Sequence, residues 1–296
     1  MDKNAKILIA LHKTYEVPKE ELYLPLHVGA EGKEDIGIEE KDNVGENISA
    51  KNPFYSELTG VYWAWKNLDA DYVGLVHYRR YFTGKHKFLV NGKTKGILSS
   101  EEVNKLLDKH DVIVPKKRKY YIETLYSHYA HSMYVEPLDI TGEIIKEKYP
   151  NYYAEFEALK KRRSAHMFNM FVMKRDIFEE YSKWLFDILF ELEKRVDSSK
   201  YDKFHSRFYG RVSELLLDVF LRTNKISCKE VGLKNIEKQN FFKRVKSFLR
   251  AKFKGEKYGK SFWVVVWKRK KQKVYNLYID YALLLFYNKS VDVIFC

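Results

Sequence analysis

The stretch DYVGLVHYRRYF (71–82) decides the fold. Its first half, Asp71–Val76, is a short apolar run of the kind buried on both faces of a parallel sheet. Its second half turns at once to His77, Tyr78, Arg79 and Arg80. The same pattern recurs on either side. KILIAL (6–11) runs into His12-Lys13, DVIV (111–114) into Pro115 and a basic stretch ending at Lys119, and FNMFVM (168–173) into Lys174-Arg175. Helical periods separate these runs. Leu58, Val61, Tyr62, Trp65 and Leu68 predict a helix from Tyr55 to Leu68 after the Asn52-Pro53 break, with Glu57 in its first turns. Ser99 or Ser100 with Glu102 and Val103 opens a capped helix that ends near His110. Longer amphipathic stretches follow at 176–195 and 211–221. Strands alternating with helices predict a layered α/β domain with a mainly parallel sheet.

In such sheets ligands bind beyond the carboxyl ends of the strands. All four predicted ends carry cations or imidazoles, and the expectation is that they share one edge. Guanidinium groups suit paired oxygens, so the pattern implies a phosphate-bearing ligand. The competing reading is that Arg79 and Arg80 are held in ordinary ion pairs.

Composition bounds the alternatives. The chain has 296 residues, 45% hydrophobic and 16% aromatic, an aromatic load that excludes disorder for most of its length. Two cysteines, Cys228 and Cys296, exclude a disulfide framework and a cysteine zinc site. The opening MDKNAKILIA has too short an apolar run for a secretory signal, and no run approaches the roughly 18 apolar residues a membrane span needs. A cytoplasmic location is therefore expected.

The net charge of +14 is localised. Residues 1–233 hold 38 Lys and Arg against 36 Asp and Glu, a net of +2, whereas residues 234–273 hold 15 against two acids, Glu237 and Glu256, a net of +13. In that band Phe241, Phe242, Val245, Phe248, Leu249 and Phe253 recur at three- and four-residue steps, with Lys243, Arg244, Lys246, Arg250 and Lys252 between them. As a helix it would present an aromatic face beside a cationic one, suited to the interface of an anionic membrane. A helical hairpin packed on the body is the plainer alternative. Nucleic-acid binding is disfavoured because no recognised nucleic-acid module precedes the band.

Absent motifs narrow the chemistry further. There is no GxxxxGK[ST] loop, no GxGxxG and no GxSxG elbow. His128-x-x-His131 has the spacing of a metal pair, but lacks an accompanying carboxylate motif; ordinary hydrogen bonding is the expectation there.

The segments NISAKNPFYSELTGVYWAWKN (47–67), DYVGLVHYRRYF (71–82), DVIVPKKRKYYIETLYSHY (111–129), FNMFVMKRDIFEEYSKWLFDIL (168–189) and GRVSELLLDVFL (210–221) together resemble the bacterial polysaccharide-synthesis family catalogued as domain of unknown function 4422. Members of that family are similar to GT-A-type glycosyltransferases, and some are assigned as galactofuranosyltransferases of capsule and exopolysaccharide gene clusters. The resemblance spans about residues 5–233. It implies a GT-A-like nucleotide-sugar-binding domain, and the change in charge balance sets the boundary near residue 235, giving that domain 1–235 and leaving a basic, aromatic-rich appendage over 236–296 outside the resemblance. The implied activity is that of a hexosyltransferase taking a nucleotide-sugar donor, a UDP-sugar first among them. Its implied acceptor is a lipid-linked glycan at the cytoplasmic face of the membrane.

Site residues follow from the same resemblance. His12, Lys13, His77, Tyr78, Arg79, Arg80 and Arg211 are the candidates for the donor diphosphate. Glu214, near the start of a helix, is the candidate base for the acceptor hydroxyl, with Arg211 on the same helical face. Glu57 is its rival, or else orients ribose or sugar hydroxyls. Asn169 and Trp65 are candidate sugar contacts. Many GT-A enzymes hold Mn²⁺ or Mg²⁺ on an Asp-x-Asp after a central strand; here His77-Tyr78-Arg79-Arg80 stands instead. The expectation is transfer without a required metal cofactor, the arginines taking the charge. A non-catalytic scaffold of a polysaccharide-assembly complex is the alternative function.

Overall fold

A computed structural model describes residues 4–90, 93–120 and 123–237 in full and the strands 264–268 and 271–275 by their backbone. The chain begins with β1 (Ala5–Leu11), β2 (Tyr23–His27), β3 (Glu40–Lys41), α1 (Asn52–Tyr55) and α2 (Leu58–Asn67), then reaches the central strand β4 (Tyr72–His77). A hairpin of β5 (Arg80–Val90) and β6 (Lys93–Ile97) is followed by α3 (Ser100–Leu107), β7 (Val112–Pro115) and the short β8 (Arg118–Lys119). Next come α4 (Leu125–Ser132), α5 (Glu136–Lys148) and α6 (Pro150–Lys161), then β9 (Ser164–Ala165) and β10 (Phe171–Lys174). The body closes with α7 (Arg175–Arg195), α8 (Phe208–Thr223), β11 (Cys228–Val231) and β12 (Leu233–Asn235).

The main sheet has the order β11-β7-β10-β4-β1-β2-β3. Its pairs β1–β2, β1–β4, β2–β3 and β11–β7 are parallel, which makes the fold a mainly parallel α/β domain. Alternation along β1 divides the core. Leu8 and Ala10 point to the face covered by helices, packing with Leu75, Val114 and Leu216, whereas Ile7, Ile9 and Leu11 point to the face covered by the β5–β6 hairpin and α3, packing with Tyr81, Ile97 and Val103. All eleven of these side chains are at most 5% exposed, so β1 is covered on both sides, as its unbroken apolar run predicts.

One expectation is overturned. β10 runs antiparallel to both of its neighbours, β4 and β7. Its carboxyl end therefore lies at the opposite edge from those of β1, β4 and β7, and Lys174-Arg175 leave the predicted cationic edge. Lys174 Nζ instead pairs with Asp111 Oδ1 at 2.5 Å, and Arg175 donates to the carbonyls of Leu68 (2.7 Å) and Trp65 (3.1 Å) at the end of α2. A short apolar strand carries no mark of its direction; the reversal brings the amino-terminal approach to β10, Phe168–Met170, to the ligand edge.

The helix expected from Tyr55 is also interrupted. Ser56 adopts φ 55°, ending α1, and a separate α2 starts after Glu57, whose side chain makes no capping bond to it. The Ser99–Glu102 start of α3 is a complete capping box, as its spacing implies. β12 carries the sheet to Asn235, and Ile236 is buried against the hairpin face. The aromatic-cationic segment 241–253 lies outside the described residues. Beyond it, β13 (Val264–Lys268) and β14 (Lys271–Tyr275) pair antiparallel. No helix among the described residues is long and apolar enough to cross a membrane.

Candidate active site

The carboxyl ends of β1, β4 and β7 and the entry to β10 meet the start of α8. At the entry to β10, Phe168 and Asn169 hold φ values of 86° and 52°, a left-handed backbone that is costly for residues with a Cβ. Surrounding groups fix it. His77 Nε2 donates to the Phe168 carbonyl at 2.8 Å, and the Arg80 guanidinium lies 3.8 Å from the centre of the Phe168 ring. The Asn169 amide donates to Glu57 Oε1 (2.8 Å) and to the Gly210 carbonyl (3.0 Å), while its oxygen accepts from Ser213 Oγ (2.9 Å). Asn169 was a candidate sugar contact; with both amide protons engaged and 2% exposure, it is a clamp joining α2, β10 and α8. Burial pushes the His77 imidazole below its ordinary range against the pull of Glu57, so it is neutral near pH 7.

A narrow cleft of about 30 Å³ opens between α4, β8 and α8. Arg118, Arg211 and Glu214 line it together with Tyr120, Tyr129 and His128. The ring of Phe168 also faces Arg118, whose guanidinium lies 5.8 Å away. Burial lowers both Arg80 and Arg118 to about 10, which leaves them charged at neutral pH. Arg211 Nη1 donates to Glu214 Oε1 at 3.2 Å, and this carboxylate raises the Arg211 guanidinium above its usual range. The other oxygen of Glu214 is different. Glu214 is 5% exposed, yet its Oε2 has no hydrogen-bond partner among the described residues.

A second group of cations forms an outer rim where β1 and β4 end. His12 and Tyr15 pack edge-on against Tyr78 at 5.3 and 4.8 Å between ring centres. Lys13 lies 5.5 Å from the centre of the Tyr78 ring and Arg79 lies 5.0 Å from it. Burial, then Arg79, Lys13, Arg207 and Lys33 in turn, push the His12 imidazole down, an electrostatic signature of converging positive charge. Arg79 is partly neutralised by Glu237 at 3.6 Å. Arg207 donates to Ser56 Oγ at 2.8 Å and Lys33 to Asn52 Oδ1 at 3.4 Å, neutral partners that leave their charge uncancelled. The floor of the neighbouring loop is set by Asp42, which is fully buried and accepts from the backbone N–H groups of Gly29 (2.7 Å) and Ala30 (3.0 Å) and from Thr59 Oγ1 (2.6 Å). Gly29 stands at φ 67°, where a Cβ would fall 2.3 Å from the Asn52 side chain, so no other residue fits that turn.

The structure thus gathers His77, Arg80, Arg211, Glu57 and Glu214 into one inner cluster, with His12, Lys13, Tyr78 and Arg79 in the rim. Trp65 joins neither. It sits in the last turn of α2, stacked on Phe186 with Lys66 4.0 Å above its ring, at the edge where Arg175 binds its carbonyl. The pair His128 and His131 shares a carboxylate: their Nδ1 atoms lie 2.9 and 2.5 Å from Glu123. Sequence reasoning missed Arg118 as an individual residue, although it singled out the basic run after β7. It also missed Tyr129, Arg207 and Lys33, which come from loops and helices that only tertiary packing brings here. Where many GT-A enzymes carry the Asp-x-Asp, this chain has His77-Tyr78-Arg79-Arg80. Among the described residues no three His, Cys, Asp or Glu side chains converge to hold an ion.

This architecture is that of a glycosyltransferase-like α/β domain with a cation-rich ligand edge. The profile of the family described as domain of unknown function DUF4422 matches residues 6–225, and the chain belongs to that family. Among solved structures it is similar to the apo form of WbbM, a bifunctional glycosyltransferase, with 29% identity and a TM-score of 0.72. The match covers 79% of this chain and 46% of WbbM, so the chain spans less than half the length of that neighbour. No curated protein matches.

Proposed function

We propose that the chain is a glycosyltransferase that moves a hexosyl group, galactofuranose among the candidates, from a UDP-sugar or related nucleotide-sugar to a lipid-linked glycan. The observation that carries this reading is Glu214: a buried carboxylate with one oxygen held by Arg211 and the other without a hydrogen-bond partner among the described residues, near Arg80 and Arg118. A cleft with a few convergent polar groups at the carboxyl edge of an α/β sheet is where such a ligand binds. The likeness to WbbM supports the reaction class.

In the proposed reaction the donor diphosphate lies along the outer rim, held by Lys13, Arg79 and Arg207 with Arg80 beneath it. An acceptor hydroxyl meets Glu214 Oε2. As the acceptor oxygen bonds to the donor's anomeric carbon, its proton passes to Oε2 and the bond from that carbon to the diphosphate breaks. Arg211 holds the other oxygen of Glu214 in place, and the arginines offset the charge that grows on the departing nucleoside diphosphate. Fixed guanidinium groups take the role that a divalent ion holds elsewhere. The basic segment beyond Glu237 would concentrate the enzyme on anionic lipid at the cytoplasmic face, where a lipid-linked acceptor is found.

Incubating the protein with a panel of nucleotide-sugars, with and without EDTA, tests the donor reading. Release of nucleoside diphosphate from at least one donor, undiminished by EDTA, is expected. Loss of turnover with EDTA and recovery with Mn²⁺ or Mg²⁺ would overturn the metal-free arrangement, and turnover of no donor would favour a scaffold. Cosedimentation of the full chain with phosphatidylglycerol vesicles but not phosphatidylcholine vesicles, weakening as salt rises, is expected for the membrane role.

A further inference from the structure

Glu237 stands near the head of the basic band, one of two acids among residues 234–273, which hold 15 Lys and Arg. It lies beyond residues 6–225, the part of the chain that the family profile matches. The sheet delivers it to the outer rim. β12 pairs antiparallel with β5, setting Leu233 opposite Phe82 and Asn235 opposite Arg80, and the backbone N–H of Ile236 then donates to the Arg79 carbonyl at 2.9 Å. Ile236 is 7% exposed, so the chain is anchored at the residue just before Glu237. The two neighbouring arginines thereby receive unlike partners. Arg80 Nε donates to the neutral Asn235 Oδ1 at 3.4 Å, whereas Arg79 Nη1 meets the Glu237 carboxylate at 3.6 Å. The same carboxylate accepts from the Tyr15 hydroxyl at 3.4 Å. Tyr15 and Arg79 both pack against Tyr78, so Glu237 sits within the group of side chains that forms the rim.

We propose that Glu237 is an internal competitor for the donor: its carboxylate holds Arg79 in the unliganded protein, and the donor diphosphate binds by taking Arg79 from it. This deepens the glycosyltransferase reading and rests on its placement of the diphosphate at the rim. Both contacts of Glu237 are long, and the side chains of Arg79 and Glu237 are 54% and 40% exposed, so the pair exchanges partners at little cost. A guanidinium presents a planar fork that suits paired phosphate oxygens, and a diphosphate fills that fork better than one carboxylate oxygen at 3.6 Å. Arg207 and Lys33, bound to the neutral Ser56 and Asn52 side chains, attract the same anion, while the Glu237 charge opposes it. That opposition has a use. The nucleoside diphosphate product carries the phosphates that the donor brought, so the rim holds product as well as donor. Glu237, returning to Arg79, hastens the product's departure, a step that often limits turnover.

Calorimetric titration of UDP, and separately of inorganic pyrophosphate, into the full chain tests the competitor. Glu237→Gln keeps an oxygen for the Tyr15 hydroxyl and removes only the charge. It should tighten both ligands about two- to fivefold, the range for loss of one exposed ion pair. In an Arg79→Gln background the same change should give a smaller gain, because the pair is already broken. Equal or weaker binding of UDP by Glu237→Gln would overturn the competitor and leave the donor reading standing. A gain undiminished in the Arg79→Gln background would also overturn it, since the charge would then act without Arg79. Pyrophosphate binding that tightens in Glu237→Gln, beside no UDP binding by any variant, would sink the nucleotide-sugar donor and leave the competitor standing. Binding of neither ligand by any variant would overturn both.

Discussion

Glu214 and Asp218 lie one turn apart on α8, both nearly sealed from solvent at 5% and 2% exposure, and their surroundings are opposite. Asp218 spends both oxygens inside the protein. Oδ2 accepts from the backbone N–H of His166 at 3.0 Å and Oδ1 lies 2.5 Å from the His166 Nδ1, while the far nitrogen of that ring reaches Glu230 at 3.2 Å. Glu214 spends one oxygen on Arg211 and keeps the other open to a cleft. Adjacent residues at the short β8–β9 ribbon divide between the two hollows. Arg118 faces the cleft of Glu214 and Lys117 the hollow of Asp218; Met167 and His166 divide in the same way just beyond β9. Two buried carboxylates on one helix thus differ in pairing: Asp218 ties elements together with both oxygens, and Glu214 with one, its other oxygen being the one assigned to the acceptor in the proposed reaction.

The sharpest way to break this contrast is Asp218→Ala. It strips His166 of two bonds inside a buried charged cluster and should cost about 3 kcal/mol. Calorimetry should register a drop in melting temperature of roughly 6–12 °C for a domain of this size. An unchanged melt would mean that saturation does not distinguish the two acids. Next in size is Arg80→Ala, which removes a buried charge beside the diphosphate position. Turnover of a nucleotide-sugar should fall about 10- to 100-fold, the loss expected for a charge-assisted hydrogen bond.

Acid sensitivity comes third. Burial lowers His77 and His128, and burial with neighbouring cations lowers His12, so the unfolded chain binds more protons than the native one below about pH 6.5. That contribution to stability is complete above about 6.5 and is lost as pH falls toward the lowered native values. Melting temperature should therefore decline between pH 7 and pH 5, and His128→Gln should flatten the decline. The smallest effect belongs to Lys174→Ala at the opposite edge. Its pair with Asp111 is about one-third exposed, worth at most about 1 kcal/mol, and nucleotide-sugar turnover should stay within twofold.

Much of the fold was legible because buried strands announce themselves. KILIAL and DYVGLV have no polar interruption to spoil the reading, and the Ser99–Glu102 spacing marks its helix start. The direction of β10 was not legible, since FNMFVM reads alike in a parallel or an antiparallel partner. Helices α4–α6 escaped notice for a local reason: Pro137 and Pro150 look like breakers yet stand in the first turns of helices, where the missing N–H costs nothing. At the candidate site, Glu214 and Arg211 were named through the resemblance, and the structure places them within 3.2 Å of each other. Arg118, Tyr129 and Arg207 belong to segments without a motif, and the left-handed backbone of Phe168 has no compositional mark at all. Trp65 was misplaced because helical period alone does not say which end of α2 meets the ligand edge.

The account stands most directly on Glu214→Gln, assayed for sugar transfer and nucleotide affinity in the same preparation. Gln keeps the shape but cannot take a proton, so transfer should fall by at least about 100-fold, with nucleotide affinity and melting temperature nearly unchanged. Transfer retained within a few-fold of wild type would contradict the claim that the open carboxylate oxygen is where the acceptor gives up its proton.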